Sequence, residues 1–299
     1  MSELIETIPF HRPMNISIDF SDIFESGILT KGKYITELEA KIKKMYNVEY
    51  AIATSSGTQG LLIACNYGKP HSIQLPAFNW YSDLYVLKLL GIEPCFNDIS
   101  IATWLMEEDY LEKSLYVHTF GNVGTSEYDN TIYDATHAFG CMFPDIGLAT
   151  VFSFAATKII TSCEGGMIIT NDKAFAEYAI ELRDKNCRMS ELHAKVGLHT
   201  LAFLDKVMAF KHRVYEYYRD HILGLFQEKE YDHNYNTIGF LNTVGLTIPV
   251  EIKTKQYYKP LKKGLFNTDY VFEHIICLPS WWGVDYKLIT DKILEANKL

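Results

Sequence analysis

From residue 49 onward, short runs of β-branched and aliphatic residues alternate with stretches of helical periodicity, and no other feature narrows the fold as much. Residues 49–54 (EYAIAT) read as a buried strand and 58–65 as the helix that follows. A second strand is expected at 72–75, then a helix over 81–90 that Gly91 stops. Further strands are expected at 93–98, 115–119, 131–134, 149–154 and 166–170. Strands separated by helices or long crossovers pair side by side in parallel, so a mainly parallel sheet covered on both faces is expected. In such sheets ligands gather at the carboxyl ends of the strands. Helical patterns return at 172–183 and at 189–218, the latter with a break or two. After residue 224 short β-rich pieces (247–252, 275–278) alternate with basic and aromatic loops. The expected organisation is therefore a large α/β domain over 1–222, including an N-terminal arm, and a smaller α+β domain over 223–299.

Charge and cysteine usage narrow the function. The 299 residues carry a formal charge of −9, which argues against a nucleic-acid binder, since phosphate contacts need a lysine and arginine excess. No apolar run reaches the length of a membrane span. The opening MSELIETIPF is acidic where a secretory leader would be basic. Six cysteines at 65, 95, 141, 163, 187 and 277 form no CxxC pair, so no metal site is expected and the thiols are read as reduced in a cytoplasmic protein.

Three segments carry chemistry. The first is SSGTQG at residues 55–60, where a strand meets a helix; glycine admits close approach and the helix start favours an anion such as a phosphate. The second is Asp134, directly after an apolar strand, where a buried carboxylate must be paired or must cap a helix. His137 follows three residues later and, taken alone, reads more readily as a satisfied core histidine than as a functional one. The third is Lys158, between two strand-like runs, with Ser153 before it and Gly165 and Gly166 after it. A lysine in apolar surroundings either snorkels to solvent or is chemically employed, because burial favours the neutral, nucleophilic amine. A phosphate cradle, a strand-end aspartate and a lysine 24 residues later together are what pyridoxal 5'-phosphate requires. Trp80, after another strand, is placed to stack on its ring.

At this point the sequence resembles the nucleotide-sugar aminotransferases of the DegT/DnrJ/StrS family, pyridoxal-phosphate enzymes of fold type I. The resemblance rests on SGILTKGKYITELEAKIKKMYNVEYAIATSSGTQGL, LPAFNWYSD, VHTFGNVG, YDATHAFG, FSFAATK with CEGGMIITND, NCRMSELHAKVGLHTLAFLD and YYKPL with LPSWW, in family order. It implies that Lys158 binds the cofactor aldehyde and then moves the proton, and that Asp134 pairs with the pyridine nitrogen. It also implies that Trp80 stacks on the ring and that the amides of Gly57, Thr58 and Gln59, with the Ser153 hydroxyl, hold the phosphate. Asn186 matches an asparagine that reaches the phosphate from the other subunit, implying a homodimer with shared active sites.

Two departures stand out. His137 replaces the usual glutamine near the cofactor's phenolic oxygen, where it can still donate a hydrogen bond with altered pH behaviour. The chain is also shorter than is common in the family, in loops and C-terminal domain that help to bind the nucleotide. Related sugar 3-dehydratases carry histidine at the position of Lys158, so the lysine points to amino transfer from glutamate to a keto-sugar, in amino-sugar or surface-polysaccharide synthesis. A transaminase for a substrate without a nucleotide and a non-catalytic cofactor-binding sensor are the alternatives. The basic stretch 251–264, with Lys253, Lys255, Lys259, Lys262 and Lys263, is either a substrate-diphosphate contact or a solvated loop.

Overall fold

The computed structural model describes residues 7–108 and 113–299, so part of the opening MSELIETIPF lies outside the described residues. Two helices, α1 (Ser21–Ser26) and α2 (Lys33–Tyr46), precede β1 (Tyr50–Thr54) and α3 (Gly57–Asn66). There follow β2 (Ser72–Pro76), α4 (Tyr81–Leu90), β3 (Glu93–Asn97), β4 (Leu115–Val117), β5 (Asn122–Val123), β6 (Ile132–Asp134), β7 (Ala149–Ser153) and β8 (Gly166–Thr170). Three helices, α5 (Lys173–Asn186), α6 (Glu191–Leu201) and α7 (Leu204–His221), lead to the C-terminal elements β9 (Leu225–Phe226), β10 (Asp232–His233), β11 (Ile238–Leu241), α8 (Phe266–His274), β12 (Ile275–Leu278) and α9 (Tyr286–Asn297).

The central sheet has the order β1-β8-β7-β6-β4. A parallel β2–β3 pair continues it through the parallel bridge Gln74↔Ser114. Strands β7, β6 and β4 run parallel, and β8 alone is antiparallel to both its neighbours. The expected mainly parallel α/β sheet is therefore present, with one reversed strand. That strand follows β7 through a loop with no helix, so nothing forces a right-handed crossover there.

Alternate residues of β7 fill opposite cores. Phe152 packs with Leu38, Ile42 and Phe139 on one face, and Val151 with Leu61, Ile168 and Phe175 on the other. Each such side chain, once buried, contributes about 1.5–3 kcal/mol. A third core joins Val214 and Tyr218 of α7 to Phe240, Ile289 and Ile293.

The helix expected over 189–218 is two helices, parted near Phe203. Thr200 turns its hydroxyl to the Thr161 carbonyl at 2.7 Å. The strand expected at 247–252 is not formed and is corrected here to irregular backbone. Its hydrogen bonds go elsewhere: Thr247 N–H to Asn297 Oδ1 at 2.9 Å, and Ile252 N–H to the Pro249 carbonyl at 2.9 Å. Ile252 alone makes a bridge, with Ile8 of the N-terminal arm.

Candidate active site

The carboxyl ends of the parallel strands open into a cavity of about 550 Å³. β6 ends on Asp134, whose backbone pairs with Val117 and Val151 on either side, so its direction is set by the sheet. Asp134 is buried, and its Oδ1 accepts the Thr136 N–H at 2.8 Å. β7 ends one strand away on Ser153, also buried and lining the cavity.

The start of α3 forms the wall above Ser153. Ser56 caps the helix, its Oγ accepting the Gln59 N–H at 3.2 Å. The amides of Gly57 and Thr58 lie in the first turn and have no acceptor within the helix. Two glycines allow this close arrangement. A Cβ on Gly57 would lie 2.8 Å from Ser153 Cβ, and one on Gly166 would lie 2.6 Å from the Ser56 carbonyl. The result is a cradle of free N–H groups and a hydroxyl at a helix start, which suits a dianionic phosphate.

Lys158 lies in the turn after β7, its N–H bonded to the Ala155 carbonyl at 3.0 Å, and its side chain lines the same cavity. Burial lowers its ammonium pKa to about 8, while the charge of Asp134 acts to raise it. His137 borders the cavity with its ring near-parallel to Phe120, and Tyr258 Oη lies 3.1 Å from its Nδ1. Burial, and then the charges of Lys158 and Lys211, hold the imidazole well below the usual histidine range, so it is neutral. Burial also raises the Tyr258 hydroxyl well above the usual range, so it stays protonated and pairs with the neutral imidazole at Nδ1.

Trp80 precedes α4 at the rim, 57% exposed, edge-on to Tyr257 and Tyr258. Of the residues singled out from sequence, Gly57, Thr58, Trp80, Asp134, His137, Ser153 and Lys158 all border the cavity. Gln59 does not border it: its amide N–H donates to Ser56 Oγ at 3.2 Å and its side-chain Oε1 accepts from the Cys187 thiol at 3.0 Å. Asn186, exposed at the end of α5, does not reach this chain's own cavity. Of the five lysines at 253–263, Lys255 borders it.

The structure adds groups that sequence reasoning did not single out. Asp83 lies fully buried beside Asp134. Tyr258 pairs with His137 Nδ1, and Trp281 lines the cavity while its Nε1 donates to the Pro9 carbonyl at 3.0 Å. Lys211 of α7 is also buried against the cavity, donating to the Asn236 carbonyl at 2.7 Å and Ser280 Oγ at 3.2 Å. Burial lowers the Lys211 ammonium to about 7. Among the described residues no cluster suited to a metal ion is present, and no helix is long and apolar enough to cross a membrane.

The donor set fits a phosphorylated pyridine aldehyde. An anion cradle, a carboxylate and a low-pKa amine open onto one cavity of the size that small-molecule sites usually have. The sequence pattern of the DegT/DnrJ/EryC1/StrS aminotransferase family matches residues 14–123 and 130–291. The chain is 26% identical, over 72% of its length and 71% of the relative's, to the GDP-perosamine synthase of Escherichia coli O157:H7. Among solved structures it resembles Helicobacter pylori PseC, an aminotransferase involved in the biosynthesis of pseudoaminic acid. That match has a TM-score of 0.86 at 18% identity and covers 98% of this chain and 99% of the other. It also resembles the E. coli GDP-4-keto-6-deoxy-D-mannose-3-dehydratase with bound hydrated PLP, with a TM-score of 0.83 at 17% identity, covering 97% and 99%.

Proposed function

Since the chain belongs to the DegT/DnrJ/EryC1/StrS aminotransferase family, we propose that it uses pyridoxal 5'-phosphate to transfer an amino group, from glutamate, to a nucleotide-linked keto-deoxy sugar. One observation carries the reading: the low-pKa amine of Lys158 and the strand-end carboxylate of Asp134 border one cavity with the start of α3. A dehydratase shares the architecture, so the fold does not choose between amination and dehydration. The residue at 158 does, because an amine can hold the cofactor covalently and a histidine cannot.

When bound, the cofactor supplies an aldehyde that condenses with amines and a ring that accepts an electron pair. The protein's own part is positional and acid–base. The amides of Gly57 and Thr58, with the Ser153 hydroxyl, hold the phosphate. Asp134 Oδ2 keeps a proton on the ring nitrogen, since a neighbouring negative charge favours the charged form. His137, neutral, donates from Nε2 to the phenolic oxygen in the tautomer whose Nδ1 accepts from the Tyr258 hydroxyl. Trp80 covers one face of the ring and sheds water from it. Lys158 Nζ takes the proton from the substrate carbon and returns it; such groups contribute about 10²–10⁴-fold in rate.

The nucleotide half of the substrate is supported by the GDP-linked sugars in the names of the E. coli relatives and by Lys255 in the cavity lining. The three-stranded sheet β9–β11–β12 supports a smaller C-terminal domain from about residue 223, packed on Val214 and Tyr218 of α7.

The test is spectroscopic. The purified chain takes up pyridoxal phosphate with a visible band that borohydride fixes to Lys158, and glutamate shifts that band. Lys158→Ala is expected to bind the cofactor without the covalent band and to lose turnover at least about 10²-fold. A Lys158→Ala protein with the parent's spectrum refutes the assignment, and a parent that glutamate leaves unchanged refutes glutamate as the donor.

A further inference from the structure

We propose that Asp83 is a carboxylic acid whose hydroxyl donates to Asp134, so that the two side chains share one proton and Asp83 positions the carboxylate that faces the cofactor. The consequence for the cofactor rests on the reading above; the protonation of Asp83 does not.

Asp83 sits in the first turn of α4 and is fully buried. Its Oδ2 accepts one hydrogen bond, from Asn79 Nδ2 at 2.8 Å. Its Oδ1 is shut off from solvent and has no N–H or O–H partner. What lies within hydrogen-bond reach is the carboxyl of Asp134. A buried carboxylate with an orphaned oxygen facing a second carboxylate is unstable twice over, through lost hydration and like-charge repulsion. A single proton between them removes both costs and turns the orphaned oxygen into a donor.

The surroundings decide which residue carries that proton. Asp134 is held as an acceptor by the Thr136 N–H and faces the cavity. Asp83 has one neutral amide donor and no route to water. Its carboxyl is pushed well above the usual carboxylate range, by burial first and the Asp134 charge second. Lys158 acts on it in the opposite direction but less strongly. The remaining titratable neighbours, Cys65 and Tyr258, are themselves held protonated by burial and bring no positive charge. The pair therefore carries one negative charge, on Asp134. The Asp83 hydroxyl fixes that carboxylate's rotamer and withdraws part of its charge.

The test uses the full chain, with and without cofactor. Infrared spectra of protein labelled with ¹³C at aspartate carboxyls are expected to show, at neutral pH, a label-sensitive band of a protonated buried carboxyl that Asp83→Asn abolishes. Asp83→Asn keeps a neutral donor in the same place and is expected to hold pyridoxal phosphate within about threefold of the parent, while Asp83→Leu weakens it at least about tenfold. No such band in the parent, a band that survives in Asp83→Asn, or an Asn variant as weak as the Leu variant overturns the proposal. A missing infrared band leaves the aminotransferase reading standing. A parent that binds no cofactor but shows the band sinks that reading and leaves Asp83 protonated.

Discussion

At Lys158 opposing forces can be weighed. Burial drives the ammonium down, the carboxylate of Asp134 pulls it back, and burial wins, leaving it at about 8. The neutral amine is the nucleophile, so lowering the pH through 8 removes the reactive form. At pH 7 roughly a tenth of the amine is neutral, ~300-fold more than for an ordinary lysine. The rate of covalent cofactor capture by the cofactor-free chain should therefore rise with pH, reach half its maximum near 8 and level off above. Stopped-flow absorbance measures this, and a half-maximum near the ordinary lysine value refutes the balance just described. Lys158 and Asp134 could be found in the sequence because each ends or follows an apolar strand, where a charged residue is out of place. Tyr258, Asp83 and Lys211 could not, since each looks ordinary in its own segment. Tyr258 lies 121 residues from His137 and only the fold joins them. Asp83 is an acid in the first turn of a helix, a placement that needs no other explanation.

At the scale of elements, the cradle depends on how closely β8 passes beneath the start of α3. A methyl at Gly166 would meet backbone: the Ser56 carbonyl at 2.6 Å and Gly57 N at 2.7 Å. Neither can rotate away as a side chain could, so the helix start itself must move. Gly166→Ala is expected to lower stability by about 1–3 kcal/mol, as overpacking does. It should weaken cofactor affinity at least about tenfold, because the amides of Gly57 and Thr58 move with the helix. Urea denaturation and a cofactor titration read the two effects. A variant that loses stability but keeps full affinity separates the cradle from the packing and refutes the link. Elements ended by local chemistry were legible: Gly91 stops α4 in a left-handed conformation, where sequence placed the end. Elements defined by distant partners were not. The run at 247–252 has strand composition, but its hydrogen bonds go to α9 and to its own turn. The reversal of β8 is equally invisible, since a buried strand reads the same in either direction.

For the whole molecule, the open question is where Asn186 acts. It lies exposed at the end of α5, outside its own chain's cavity. Close to the rim, α4 presents Tyr81, Tyr85 and Leu89 in one exposed apolar row, each about half accessible, beside Trp80. Contiguous apolar surface of this kind marks an interaction face, and it supports the proposed homodimer in which each cavity is completed by its partner. A mixing experiment tests this directly. If every site needs Lys158 from one chain and Asn186 from the other, Lys158→Ala and Asn186→Ala chains are each impaired alone. A heterodimer of the two contains one doubly defective site and one that is intact. Random pairing makes half the dimers mixed, with one of two sites working, so about a quarter of the parent's activity should return, in the closed two-fold arrangement that most homo-oligomers adopt. Differential tags isolate the mixed species, in which the recovered fraction should be about half. If Asn186 instead acts within its own chain, the mixed dimer has no site with both residues and nothing is recovered. Activity that never exceeds the average of the two variants would place the asparagine in its own subunit and end the shared-site proposal.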